Sequence, residues 1–206
     1  MNRGNLMNEK DHDRLLRIKT AGAREWLNQS SHYNRYEATP YAALEELFQD
    51  YEVKKADVFV DFGCGKGRLS FYIHNRFHVS VTGIEMSGQL YQEALENQAS
   101  YMQKAKRAGG SVRFECGLAE EYEVEPGDNR FYFFNPFSIQ IFMKVIDTIL
   151  LSVEMQKRSV DVILYYPTDD YSEFLETSTP FVRLKEVRIL ELYEQDDNER
   201  FLIYRL

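Results

Sequence analysis

Cysteine is nearly missing from this chain. Two residues, Cys64 and Cys116, stand among 206, and neither belongs to a C-x-x-C or Cys/His ligand pattern. That excludes a disulfide framework and a thiolate zinc centre, so no metal is expected. Long apolar runs are missing too: none approaches the ~18 residues that cross a bilayer. The polar N-terminus lacks the apolar stretch of a secretory signal, so the chain reads as cytoplasmic with both thiols reduced and no membrane partner. There is no excess of positive charge, with 25 Lys and Arg against 33 Asp and Glu and a formal net charge of −8. Proteins that grip nucleic acid usually show a basic face, because neutralised phosphates supply most of that affinity. The mild cluster QKAKRAGG (103–110) reads as a solvated helix end. Charge thus disfavours a nucleic-acid partner without excluding a local basic site.

Internal repeats and low-complexity linkers are also absent, and 44% hydrophobic residues suffice for one large core. Short β-type runs alternate with helical patterns. Strands are expected at 56–62, 78–85, 111–116, 130–135 and 160–166, and helices at 67–77, from Ser87 to about Lys106, at 139–156 and at 170–177. The apolar runs ADVFVDF, RFYFFN and VDVILYY are what strands covered on both faces look like. Two further strands, 181–194 and 200–206, are joined by the polar turn QDDN and leave no room for a crossover helix, so they should pair antiparallel at an edge. The expected fold is a doubly wound α/β protein: a mostly parallel seven-stranded sheet with an antiparallel C-terminal hairpin. Residues 1–55 form an N-terminal helical cap, with helices over 11–29 and 40–50, and residues 56–206 form the main globular unit. Thr39 is placed to cap the second of these helices, with Pro40 in its first turn.

The stretch VDFGCGKGR puts Gly63, Gly65 and Gly67 in the turn after the first strand, where an open α/β sheet binds its ligand. A dinucleotide turn wants G-x-G-x-x-G, but position 68 is Arg68 and the spacing is G-x-G-x-G. No G-x-x-x-x-G-K-[ST] occurs either. Eighteen residues beyond the last glycine, Glu85 closes the second strand. A carboxylate there can form two charge-assisted bonds to a vicinal diol. A glycine turn without the pyrophosphate-packing glycine suits a ligand without phosphates.

On VDFGCGKGR, on GIE ending in Glu85, and on FFNPF (133–137), residues 56–206 resemble the class I S-adenosylmethionine-dependent methyltransferases. The resemblance implies a methyltransferase that uses S-adenosyl-L-methionine and releases S-adenosyl-L-homocysteine. Gly63, Gly65 and Gly67 would lie under the methionine moiety and ribose, Asp61 would order the turn and the amino-acid end, and Glu85 would accept from both ribose hydroxyls. Met86 would lie against the adenine face, with a core methionine as the competing reading. Leu118 stands where many members carry an adenine-holding acid, leaving Glu120 or the Ala119 backbone as substitutes. Tyr36 and Thr39, in HYNRYEATPY (32–41), fall in the segment that closes over the cofactor, alongside Tyr33 and Tyr41.

Asn135, Pro136 and Phe137 are similar to the (Asn/Asp)-Pro-Pro-(Tyr/Phe) motif of amino-group methyltransferases, but with one proline and the aromatic a residue early. They are the candidates for positioning the acceptor, with Tyr165 and Tyr166 on the same rim. In-line methyl transfer mainly needs alignment and exclusion of water, and no general base stands out. His74 and His78 read as surface residues near a helix end, and His32 stands apart. The acceptor is expected to be a small molecule or protein. A nucleic-acid methyltransferase and a non-catalytic S-adenosylmethionine-binding module are the alternatives.

Overall fold

The structure, a computed structural model, describes residues 7–21, 36–105 and 109–206. Seven strands form one sheet in the order β3-β2-β1-β4-β5-β7-β6. They are β1 (Val58–Phe62), β2 (Ser80–Glu85), β3 (Val112–Cys116), β4 (Arg130–Phe134), β5 (Asp161–Tyr165), β6 (Val182–Arg188) and β7 (Arg200–Arg205). The first five are parallel, and β7 enters antiparallel between β5 and β6. Strand order therefore reverses at β1, which is flanked by β2 and β4.

Alternation along the strands divides the core between the two faces of the sheet. Phe59, Val81, Tyr132, Ile163 and Ile203 face α2 (Tyr41–Asp50), α3 (Arg68–Phe77) and α4 (Gly88–Lys104), with α1 (Glu9–Leu16) packed outside. Val60, Phe62, Phe131, Phe133 and Leu164 face α5 (Ile139–Met155) and α6 (Asp169–Ser178). Helix α5 shows why such a segment becomes a helix. Ile141, Phe142, Val145, Ile146, Ile149 and Val153 recur at helical spacing and are all buried, while Leu151 and Met155 face outward. Each buried side chain contributes roughly 1.5–3 kcal/mol to holding the helix on the sheet. Among the described residues no helix is long and apolar enough to cross a membrane, and no group of three or more His, Cys, Asp or Glu could hold a metal.

The sheet and the antiparallel hairpin match expectation; several local features do not. Helix α1 spans only Glu9–Leu16 and stops at Arg17, whose φ is 58°. The buried Asp13 carboxylate turns the chain back there, accepting from the Thr20 N–H (2.5 Å), the Ala21 N–H (2.9 Å) and the Tyr41 hydroxyl (2.7 Å). The rest of the expected helix to residue 29, with His32 and Tyr33, lies outside the described residues. Strand β6 ends at Arg188, and Leu190–Tyr193 form a single helical turn, α7. His74 is 1% exposed and not a surface residue, its Nδ1 lying 2.6 Å from the Tyr101 hydroxyl, whereas His78 is exposed.

Candidate active site

The turn between β1 and α3 is held in one shape from both sides. Gly63, Gly65 and Gly67 have φ of 75°, 55° and 84°, a region that side chains rarely adopt. Space enforces the same choice. A Cβ on Gly63 would lie 2.6 Å from Pro136 Cβ, and one on Gly65 would collide with the Tyr36 ring. The β2 terminus is tied to this turn: Glu85 Oε2 accepts from the Gly65 N–H (2.9 Å) and Oε1 from the Ser87 N–H (2.8 Å). Glu85 is 7% exposed, and burial raises its pKa while those backbone donors pull it down. Asp61, one residue before the end of β1, is buried and accepts from the Ser70 hydroxyl at 3.2 Å. Burial lifts its carboxyl to about 7, with the Ser70 bond opposing the shift and Glu85 adding to it.

Met86 follows Glu85 and is 40% exposed, so it is not a core methionine. Leu118 follows β3, the neighbouring strand, and is 37% exposed. Two apolar side chains thus stand in the open at adjacent strand ends. Ala119, in the 3-10 turn Ala119–Glu121, is buried against the α5 side of the core, and Glu120 points to Lys144 at 3.9 Å.

The segment before α2 does lie over the turn, although not as its hydroxyls suggested. The Tyr36 ring covers Gly65, while its hydroxyl donates to the Thr20 carbonyl (3.1 Å). Thr39 does not cap α2; Pro40 occupies that position. The Thr39 hydroxyl pairs instead with the buried Tyr132 hydroxyl at 2.7 Å, which turns it away from a ligand and pins the segment to β4. Arg68, at the first position of α3, is the anchor that sequence reading missed. Buried, it donates to Thr20 Oγ1 (2.7 Å) and the Thr39 carbonyl (3.2 Å), pairs with Glu9, and stacks on the Tyr41 ring. Its only sequence signal was a cation where a dinucleotide turn has glycine.

On the other side of β1, Asn135 and Tyr166 follow β4 and β5. They have φ of 38° and 50°, and the residues before them pair in register. Left-handed backbone at non-glycine residues is strained and persists where surroundings impose it. The Tyr166 hydroxyl donates to Asp196 (2.5 Å) and that of Tyr165 to Glu199. Pro136 packs on Gly63, so this rim and the glycine turn touch. Phe137 is not an acceptor-stacking aromatic. At 1% exposure its ring packs edge-on to Phe133, and its carbonyl accepts from Tyr171.

A parallel sheet reversed at β1, a glycine turn at the reversal and an acid closing β2 define the Rossmann-like class I methyltransferase fold. Residues 38–132 match a family described as a methyltransferase domain. Residues 38–132 are thus similar to a methyltransferase domain, and the fold is that of the class I methyltransferases. No curated protein matches it by sequence. Among solved structures it is similar to a Pyrococcus horikoshii protein provisionally assigned as an RNA methyltransferase (TM-score 0.56, 17% identity, 96% of this chain and 97% of that one). An RNA methyltransferase from Salinibacter ruber, in complex with S-adenosyl-L-homocysteine, matches with TM-score 0.50 and 16% identity over 82% of this chain and 92% of that one. The geranyl diphosphate C-methyltransferase of Streptomyces coelicolor gives TM-score 0.52 and 11% identity over 80% and 77%. Likeness at this level shows the fold, and the differing acceptors of these proteins leave that of this chain undetermined.

Proposed function

We propose that the chain binds S-adenosylmethionine across the carboxyl ends of β1, β2 and β3 and passes its methyl group to an acceptor over the ends of β4 and β5. The observation that carries this is the Glu85 carboxylate, buried at the end of β2 and bonded to the glycine turn at Gly65. The residues present fit the cofactor. The turn's three glycines hold left-handed conformations, with the space of their Cβ atoms taken by Pro136, Tyr36 and Phe114, so the cofactor would meet the turn on its other, backbone face. Glu85 would accept from the ribose hydroxyls, Met86 and Leu118 would flank the adenine, and Asp61 would face the amino-acid end. Bound there, S-adenosylmethionine supplies a methyl group on a sulfonium, ready for direct displacement.

The chain's own task is alignment and exclusion of water. Tyr36 lies over the turn as a lid, held by Thr20, while the Thr39–Tyr132 bond fixes its approach. The cap of residues 1–55 thereby serves the cofactor site of residues 56–206. Asn135 and Tyr166, in strained backbone beside Pro136, would orient the acceptor. A side-chain base is required only if the acceptor carries a proton that it must lose early.

S-adenosyl-L-homocysteine should raise the melting temperature where NAD does not, since a ligand of the native state stabilises it by mass action. Glu85→Ala should abolish that shift. A shift with NAD alone, or full homocysteine-ligand binding in Glu85→Ala, would overturn the assignment. Transfer of labelled methyl into a cell extract separates an enzyme from a binding module.

A further inference from the structure

Helix α1, the turn after it and α4 enclose a groove of about 610 Å³ whose charge opposes that of the whole chain. Lys10, Arg14, Arg17 and Lys19 line it together with Ser100 and Gln103. All four cations are exposed. The carboxylate in the lining, Asp13, is buried and engaged by Thr20, Ala21 and Tyr41. Arg14 meets Asp11 at 3.2 Å in an exposed pair, of a kind that contributes only about 0–1 kcal/mol and yields readily to a phosphate. Lys10, Arg17 and Lys19 have no carboxylate partner among the described residues. Lys10 and Arg14 lie one turn apart on α1, and Arg17 and Lys19 continue the series in the turn after it.

The wall of this groove backs onto the cofactor turn. Asn97 accepts from the Lys19 N–H (2.8 Å) and donates to the Lys66 carbonyl within the turn (3.0 Å). Thr20, next in the chain, holds Tyr36 over Gly65. A polyanion in the groove would thus lie behind the cofactor turn on its α4 side, and the strand would run on from there toward the ends of β4 and β5.

We infer that the groove docks the phosphate backbone of a nucleic-acid strand, which makes nucleic acid the substrate class of the methyl transfer proposed above. Exposed cations in a row, with neutral hydrogen-bonding Ser100 and Gln103, match a run of phosphates. A protein partner would need an apolar or aromatic anchor at its centre. The apolar side chain largest in the lining, Ile18, is only 4% exposed. Net charge counts for little here, because binding responds to cations within a Debye length, about 8 Å at physiological salt.

The test measures fluorescence polarisation of labelled 20-mers of single-stranded RNA and DNA, and of a polyglutamate peptide of equal charge, against the full chain over a salt series. Nucleic acid should bind at low salt, with log K falling against log salt at a slope of roughly −0.7 per phosphate neutralised, hence about −2 to −3. Polyglutamate should bind at least tenfold more weakly. The double variant Arg17→Glu/Lys19→Glu should lose about tenfold or more and show a shallower slope, with the thermal shift from S-adenosyl-L-homocysteine unchanged. A distant reversal, Lys157→Glu, should leave affinity as it was. Tighter binding of RNA than DNA, or the reverse, names the strand and supports the inference. Absence of binding at low salt, equal binding of polyglutamate, or equal loss in Lys157→Glu overturns it. Binding of nucleic acid without any response to S-adenosyl-L-homocysteine would leave the groove standing and remove the methyl-transfer proposal.

Discussion

Asp61 carries a pH signature at the scale of a single side chain. Its carboxyl is raised from the usual 3.8 to about 7 by burial. A raised carboxyl favours folding while protonated, so its contribution is full below about pH 4 and is lost as pH rises through 7. Asp61→Asn should therefore stabilise the chain above pH 7, on the order of a few kcal/mol, while weakening cofactor binding. The role proposed for Asp61 predicts that affinity for S-adenosylmethionine falls as pH drops below about 7, where its carboxylate takes a proton. Melting curves of both proteins between pH 5 and 9 check the first statement; an Asp61→Asn melting temperature no higher than wild type at pH 8 would refute it. Gly65→Ala should cost at least ~1 kcal/mol from its backbone alone and should displace Tyr36, which a ligand-free melting curve and tyrosine fluorescence would show. The place of Glu85 at the end of β2 was readable from sequence because an acid at a strand end, spaced from a glycine turn, has a local pattern. Arg68 was not, because its partners Glu9, Thr20 and Thr39 are 59, 48 and 29 residues away.

At the scale of elements, the segment after α1 hangs on one carboxylate. Asp13→Ala would leave the Thr20 and Ala21 N–H groups and the Tyr41 hydroxyl without their acceptor, at about 1–3 kcal/mol for each buried donor. Hydrogen exchange should then quicken across residues 13–21 and in α2, while α5 keeps its protection. Unchanged exchange there would show that Asp13 does not hold the segment. This bend also explains why helix periodicity overran α1: apolar spacing continues, but a buried acid seven residues before Thr20 captures the backbone. The strands were readable because β1, β4 and β5 are apolar on both faces, and strands covered from both sides need that composition. The end of β6 was less so, since LELY satisfies a strand pattern and a helical turn equally well.

The whole molecule separates its binding end from a charged foundation. At the amino ends of β4, β5 and the carboxyl end of β7, Asp161 accepts two bonds from Arg205 (2.7 and 2.8 Å) and one from Tyr51 (2.5 Å), and Arg130 bridges to Asp57 (2.9 Å). Asp161 is 0% exposed and Asp57 3%. Removing one member of such a buried group strands the others, so Asp161→Ala should cost about 3–5 kcal/mol. Affinity of the folded fraction for S-adenosyl-L-homocysteine should stay unchanged, because the proposed site lies at the opposite ends of the strands. Chemical denaturation with ligand titration reads both; a stability within 1 kcal/mol of wild type would contradict the first. This division explains what composition concealed: a net charge sums the foundation, the rim and the groove, and so hides a local surplus of one sign.

The position of β7 between β5 and β6 bears on how the chain is made. Synthesis runs from β6 to β7, so β6 leaves the ribosome before the strand that attaches it to the sheet. Until β7 arrives, β5 is an open edge, and β6 presents Val182 and Leu184 with no neighbour to pair with. The five parallel strands can assemble while translation continues, whereas the hairpin is completed only after Arg200–Arg205 have emerged. A nascent chain paused before residue 200 would therefore be the species most exposed to sticking and most in need of a chaperone.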